Sequence, residues 1–349
     1  MAYPGGMIPH LADTRRVPVS PEEWFTWSII DAETIALTGF DESYEDTAEI
    51  NIPSTAQGRS VVSIGSSAFE SMTSLEYVEI PGSVVSIGNQ AFRGASSLTS
   101  VRLNEGLETI GELAFAGPPP DGSGAPKITS ITLPSTLTSL GRASFIRCPN
   151  LEKVIYKSAP TQGEFIFLAV PAGQVRVAFA EGVTTTPSGH DDKWGVGLGS
   201  VTLPSTMTSI GNNAFRSATS LESVEIPGSV LSIGSAAFWR CASLATVVLN
   251  EGLETIGAFA FSGSADEGSA SAPKITDVTL PSTLAALGDR TFRYCPNLLN
   301  VNFLGNAPTA SDPYQETPVT LTSYAPTGAT GWPTGTPPLT WESRPFEYV

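Results

Sequence analysis

The sequence predicts a repeat solenoid, with short strands stacked into one parallel sheet and irregular or short helical segments returning the chain to the next strand. Three observations predict it. Phe69, Phe92 and Phe115 follow one another at 23-residue intervals, each closing a stretch that reads Ile-Gly-x-x-Ala-Phe. Residues 103–111 and 249–257 are both LNEGLETIG. Each copy is followed by an insert at the same place, GPPPDGSGAP at 117–126 and GSADEGSASAP at 263–273, so a block of several repeats is duplicated whole. Self-similarity at such a period marks units that cannot cover their own apolar face and do so by stacking.

Within one unit, Leu75 to Ala95, the order of elements follows from residue type. Val78 and Ile80 alternate with Tyr77 and Glu79, the period of two that sends one set inward. Pro81 ends the strand, where a missing N–H does little harm. Gly82 and Ser83 start the turn. Val84 and Ile87 lead the chain back, and Gly88 is expected in a backbone conformation closed to residues with a side chain. Ala91 and Phe92 fill the interior, Phe as the large filler. The same positions recur as Val101, Leu103, Ile110 and Phe115, then as Ile131, Leu133, Leu140 and Phe145. In the second block they are Val224, Ile226, Ile233 and Phe238, then Val247, Leu249, Ile256 and Phe261.

The chain divides accordingly. Residues 1–49 form an N-terminal cap, with an opening hairpin in Trp24 to Gly39. Residues 50–157 are the first repeat block and 200–303 the second. Residues 158–199 connect them and hold a worn repeat around Val175-Arg-Val177, which predicts a continuous or nearly continuous stack. Residues 304–349, rich in Pro, Gly and Thr with Trp332 and Trp341, close the other end. Both ends of a solenoid need such covers.

The IGxxAF and LxxVxIP pattern at 23-residue period resembles the leucine-rich repeats of the BspA-like bacterial surface-antigen family. The resemblance covers roughly 50–157 and 200–303. It implies a curved, parallel-stranded leucine-rich-repeat-like stack that mediates adhesion or protein recognition, with no catalytic residues to carry over. It also implies an extracellular or surface location. Met1 to Leu11 shows neither the basic nor the apolar region of a signal peptide, so a virion or other particle is the alternative expectation.

Composition narrows the function. A hydrophobic content of 41% supports a core, and a net charge of -16 over 349 residues repels phosphate backbones and anionic headgroups. Nucleic-acid partners are not expected. No run of about 18 apolar residues occurs, so membrane insertion is not expected either. Cys148, Cys241 and Cys295 each stand three residues after a repeat Phe, in a slot that elsewhere holds Met72, Ala95, Ala218 or Ser264. They read as buried free thiols. Cys241 and Cys295 fall two repeats apart, or roughly 10 Å at the usual strand spacing, beyond disulfide reach.

The sequence predicts no enzyme, no cofactor and no metal. Histidine occurs only as His10 and His190, and a nucleophile–histidine pair would need one of them. His190-Asp191-Asp192 reads as a solvated Gly/Ser-flanked turn. The pairs Glu105/Glu108 and Glu251/Glu254 sit in the copied LNEGLETIG and read as copied edge charge rather than a glycosidase pair.

Function is therefore expected on a surface. The outward strand positions offer Tyr77, Glu79, Arg102, Thr132, Lys153, Glu225 and Asn302. A second edge, on the turn after the repeat Phe, offers Trp239 and Arg240 with Arg293 and Tyr294. Aromatic and Arg side chains dominate binding energy. The expected function is non-enzymatic recognition or adhesion toward a protein or glycan. The alternative is a structural component that self-assembles in a phage or viral particle, fibre or surface layer.

Overall fold

Apolar residues at alternate positions become short strands that line up turn upon turn, paired in parallel within four sheets: Glu49–Asn51 to Ser100–Leu103, Ser130–Leu133 to Leu198–Thr202, Ser223–Ile226 with Thr246–Leu249, and Asp277–Leu280 onward. The computed structural model describes residues 17–44, 46–118, 124–162, 172–187, 197–264, 271–318, 320–334 and 339–349. Strand Tyr77–Ile80 lies between Glu49–Asn51 and Ser100–Leu103. Ser130–Leu133, Lys153–Tyr156, Val175–Phe179 and Leu198–Thr202 follow. Ser223–Ile226 pairs with Thr246–Leu249, and Asp277–Leu280, Asn300–Phe303, Thr322–Ala325 and Arg344–Tyr348 complete the row. The register sets like on like: Val78 on Val101, Val224 on Val247, Val278 on Val301. All six are buried. The result is a β-solenoid of about twelve turns.

The connecting segment belongs to this row. Arg176 is in register with Lys153 on one side and Ser200 on the other. Farther along the same turn, Thr208 N donates to Thr184 O at 2.7 Å and Gly182 N to Thr206 Oγ1 at 2.9 Å. The worn repeat carries the ladder from one block to the other.

The parallel-stranded solenoid is as expected, and of the irregular or short helical returns it is the irregular kind that occurs, with more ladders than the one sheet expected. The returns carry a second parallel ladder of two-residue strands, such as Ser86–Ile87, Thr109–Ile110 and Ser139–Leu140, and likewise Ser232–Ile233, Thr255–Ile256 and Ala286–Leu287. A third row of bonds joins the turns: Phe69 N to Ala91 O at 2.7 Å, Phe92 N to Ala114 O at 2.8 Å, Phe238 N to Ala260 O at 2.8 Å. No α-helix occurs among the described residues; the 3-10 turns Glu22–Trp24 and Glu42–Tyr44 lie in the N-terminal cap. The cause is local. The residue two before each repeat Phe has positive φ, and so does the residue two after except at Gly117 and Gly263, as at Gln90 (60°) and Gly94 (73°), or Ala236 (54°) and Arg240 (63°). A right-handed helix cannot propagate through them.

Turns stacked this closely fix the interior. Phe69, Phe92, Phe115 and Phe145 stack at 4.9, 5.1 and 5.2 Å between ring centroids, with planes within 5° of parallel. Phe215, Phe238, Phe261 and Phe292 repeat the stack at 5.2, 5.2 and 5.7 Å. Each ring is fully buried except Phe69, at 2% exposure, and burial of one such side chain is worth about 1.5–3 kcal/mol.

The Gly after each Ile has a different role from the one expected. Gly88 has no positive φ; a Cβ there would lie 2.5 Å from Ser66 N and 2.6 Å from Gly65 C. Gly234 is in the same position, 2.6 Å from Asn212 N. Glycine is required because backbone passes directly over backbone. The cysteines share the crowding. Each is buried and donates its S–H to a Phe carbonyl of the preceding turn: Cys148 to Phe115 at 3.3 Å, Cys241 to Phe215 at 3.2 Å, Cys295 to Phe261 at 3.3 Å. Burial pushes the Cys148 and Cys241 thiols up to about 12, and that of Cys295 higher still.

Aromatic clusters cover both ends. Hairpin Phe25–Ile29/Thr34–Phe40 sets Phe25 and Phe40 against Phe69 at 6.3 and 5.8 Å. At the other end Trp332 and Trp341 pack on Phe303 at 4.6 and 5.1 Å, and antiparallel Leu339–Trp341 closes the sheet edge.

Two outcomes follow. Phe238→Ala removes a mid-stack ring and is expected to cost about 3–5 kcal/mol, read by urea denaturation, whereas Phe238→Leu costs less. The three cysteines of the native protein are expected to resist Ellman's reagent at pH 8 and to react fully once the chain is unfolded in guanidinium.

Candidate functional site

The strand face presents one or two side chains per turn. Arg102, Thr132 and Glu225 are exposed, and Glu79, Lys153 and Asn302 half-buried. Neighbours stand side by side through strand register: Glu79 by Arg102, Lys153 by Arg176, Glu225 by Val248, Asn302 by Thr279. Arg102 Nε lies 3.5 Å from Glu79 Oε1, to which Asn104 Nδ2 donates at 3.2 Å.

Tyr77 corrects the expected alternation. It is fully buried and its hydroxyl donates to Glu79 Oε2 at 3.2 Å. Period two assigns a side chain to one side of a sheet; it does not leave that side bare. Tyr77 is therefore no exposed anchor, and of the aromatic and Arg pair expected on the strand face, Tyr77 and Arg102, Arg102 is the exposed one.

The turn edge is richer. Counting from the repeat Phe, the next residue in successive turns of the second block is Arg216, Trp239, Ser262 and Arg293. Turn stacking lines these up. The Arg216 guanidinium lies 4.1 Å from the Trp239 ring centroid and that of Arg240 4.9 Å, while Trp239 Nε1 donates to Gly263 O at 2.9 Å. Both contacts are within cation–π range. Arg293 lies 4.9 Å over the Tyr294 ring and donates to Glu316 at 2.9 Å; Arg290 lies 5.7 Å over Phe259. The Tyr294 hydroxyl bonds to Glu316, which holds that carboxylate below its usual range and raises Tyr294. Together Arg216, Ala236, Trp239, Phe259, Gly263, Ser264 and Arg293 line an open groove of about 370 Å³.

Trp239, Arg240, Arg293 and Tyr294 were expected on this edge. Arg216 and Phe259 were not. The signal for both was present in the period: Arg216 is the Trp239 position one turn earlier, and Phe259 precedes its repeat Phe by two, as Ala236 does.

The carboxylates of LNEGLETIG turn out to have a structural use. Glu105 accepts from Ser135 N at 2.8 Å and Ser135 Oγ at 2.7 Å, and pairs with Lys157 at 3.0 Å. Partial burial opposes its charge, but these bonds outweigh it and its pKa is lowered. Glu251 takes the same two bonds from Ser282, the backbone one first, and is lowered too. These acids clamp the next turn. Among the described residues, no group of three or more His, Cys, Asp or Glu is placed to hold a metal, and no helix is long and apolar enough to cross a membrane. His10, His190, Asp191 and Asp192 lie outside the described residues, as do Asp121, Asp266 and Glu267 of the inserts.

Comparison with known proteins adds the lineage. The family described as BspA type Leucine rich repeat region matches residues 33–172 and 194–312, in six copies. Among solved structures, the chain is similar to the T. pallidum leucine-rich repeat protein, at 23% identity over 70% of this chain and 88% of that one, TM-score 0.38. It is also similar to a leucine-rich repeat protein from Bacteroides ovatus, at 18% identity over 93% and 98%, TM-score 0.35. The pneumococcal vaccine antigen PcpA matches at 16% identity over 87% and 92%, TM-score 0.39. No curated protein matches the chain. With repeats of this type matched along more than half of its length, the protein belongs to the BspA-type leucine-rich repeat family.

Proposed function

We propose that this protein is a non-enzymatic recognition or adhesion module that binds a protein or glycan ligand through an extended surface. One observation carries the reading: like positions stand one above another along the ladder, so each turn adds side chains to the same long faces at a fixed interval. A ligand meeting such a face touches several turns at once, which suits broad and shallow recognition. Members of the family are often surface adhesion proteins and generally non-enzymatic, in keeping with a surface location.

Two faces are candidates: the strand face with Arg102, Thr132, Lys153, Glu225 and Asn302, and the turn edge with Trp239 and Arg240. Buried Tyr77 and its partner Glu79 belong to the framework of the first.

The test is a glycan and protein array probed with the full chain. The expected outcome is at least one specific ligand. Its affinity is expected to fall about tenfold or more when one face is altered, and to stay unchanged when the other is. Triple variant Arg102→Ala/Glu225→Ala/Asn302→Ala reports on the strand face and Trp239→Ala/Arg240→Ala on the turn edge. Absence of any ligand, with light scattering showing mass that grows with concentration, would replace this reading with that of a self-assembling structural component.

A further inference from the structure

The duplication supplies an internal control. With LNEGLETIG laid on LNEGLETIG, and the repeat Phe residues beyond the inserts laid on each other, the stacked rings match one for one, Phe69 on Phe215, Phe92 on Phe238, Phe115 on Phe261 and Phe145 on Phe292, with Cys148 on Cys295. The turn edge does not. Glu70 becomes Arg216, Arg93 becomes Trp239, Gly94 becomes Arg240, Leu113 becomes Phe259, Ala143 becomes Arg290, Ile146 becomes Arg293 and Arg147 becomes Tyr294. In the first block this edge is paired off, Glu70 with Arg93 at 3.1 Å and Glu112 with Arg142 at 3.7 Å. In the second block Arg293 and Arg290 also pair, with Glu316 at 2.9 Å and Asp289 at 3.6 Å, but Arg216 and Arg240 lie against the Trp239 ring, and guanidinium groups and rings gather around a groove in a chain whose net charge is -16. Arg240 even keeps the left-handed backbone (φ 63°) of the glycine it corresponds to, a conformation that disfavours side chains.

We propose that this groove in the second block binds a carboxylate-bearing sugar residue, between Arg216, Trp239, Phe259 and Arg293. The proposal rests on the recognition function above and assigns it a place and a ligand class. The groove volume of about 370 Å³ falls at the lower end of small-ligand sites. Guanidinium forks match carboxylates in two-point geometry, and Arg216 and Arg240 are held against the Trp239 ring. Arg293 gives Nη2 to Glu316 at 2.9 Å, while its Nε is shielded from solvent and has no hydrogen-bond partner. A pyranose adds hydroxyls for the remaining donors and a C–H face for Phe259 and the indole edge.

An extended acidic peptide fits less well. Peptides add to open backbone, and the N–H groups of this edge are already bonded from turn to turn: Phe238 to Ala260, Arg240 to Ser262, Phe261 to Thr291, Gly263 to Arg293. A long polyanion would run off the patch onto an acidic surface.

The test is saturation-transfer NMR on the full chain with glucuronic acid and N-acetylneuraminic acid, with glucose and an Asp/Glu-rich peptide as comparisons. The sugar acids are expected to show transfer that weakens at high salt, and glucose none. A variant carrying first-block residues, Arg216→Glu/Trp239→Arg/Arg240→Gly/Arg293→Ile, uses side chains the same fold already accepts. Its sugar-acid binding is expected to fall about tenfold or more, as is that of Arg293→Ile alone. Equal binding of glucose, undiminished binding by both variants, or binding of the peptide without the sugar acids would overturn the proposal. If the reverted variant keeps every array ligand of the parent chain, recognition stands and this site falls. If the parent chain has no array ligand, recognition itself falls.

Discussion

One distance governs this molecule. Parallel strands pair at about 4.8 Å, and aromatic rings stacked face to face sit only slightly farther apart, here 4.9–5.2 Å through most of both blocks. Backbone hydrogen bonding and ring packing therefore ask for the same translation, and every turn can satisfy both at once. Glycine at Gly65, Gly88, Gly111 and Gly141 follows from it, since each would drive a Cβ into the backbone of its neighbour or receive one. So does the Ala or Cys three after Phe92, Phe145, Phe215, Phe238 and Phe292, where at Cys148, Cys241 and Cys295 the thiol meets a carbonyl of the preceding turn. Where the ring separation relaxes, 5.7 Å at Phe292 and 6.3 Å at Tyr314, the chain is passing into its terminal cap.

What the sequence made legible is what this distance dictates. The Phe period, the Val-x-Ile alternation and the worn repeat at Val175 are repetitions of one packing solution, and a repeated solution leaves a repeated residue. The second ladder was harder to read, because two residues such as Ser86–Ile87 give no alternation to count. Gly88 was assigned to backbone freedom because glycine has two uses, and only the neighbouring turn distinguishes them. Tyr77 was misread for a related reason: alternation reports the side of a sheet, whereas exposure depends on what else lies on that side. Arg216 and Phe259 escaped notice because they belong to different turns, and their nearness exists only once the turns are stacked.

The two blocks also show how unevenly such a fold constrains change. Interior residues answer to the turn above and the turn below, so a substitution there must suit three turns together. LNEGLETIG is kept in both copies in part because Glu105 and Glu251 each hold a serine of the next turn. Edge residues one step beyond the Phe answer to far less. Copies that keep their stacked rings and differ more at the edge are the expected product of that asymmetry, and the difference is where two copies of one block can acquire separate roles.

The unbroken ladder through residues 175–202 has a consequence for spacing. Because the worn repeat keeps step, matching points on the two blocks, such as Phe92 and Phe238, are six increments apart, about 30 Å at the usual strand interval. The rod thus behaves as a ruler with graduations of one turn. Loss or gain of a single 23-residue unit would shift whole faces by one graduation while leaving each intact, so reach along a target surface can be retuned without rebuilding any contact.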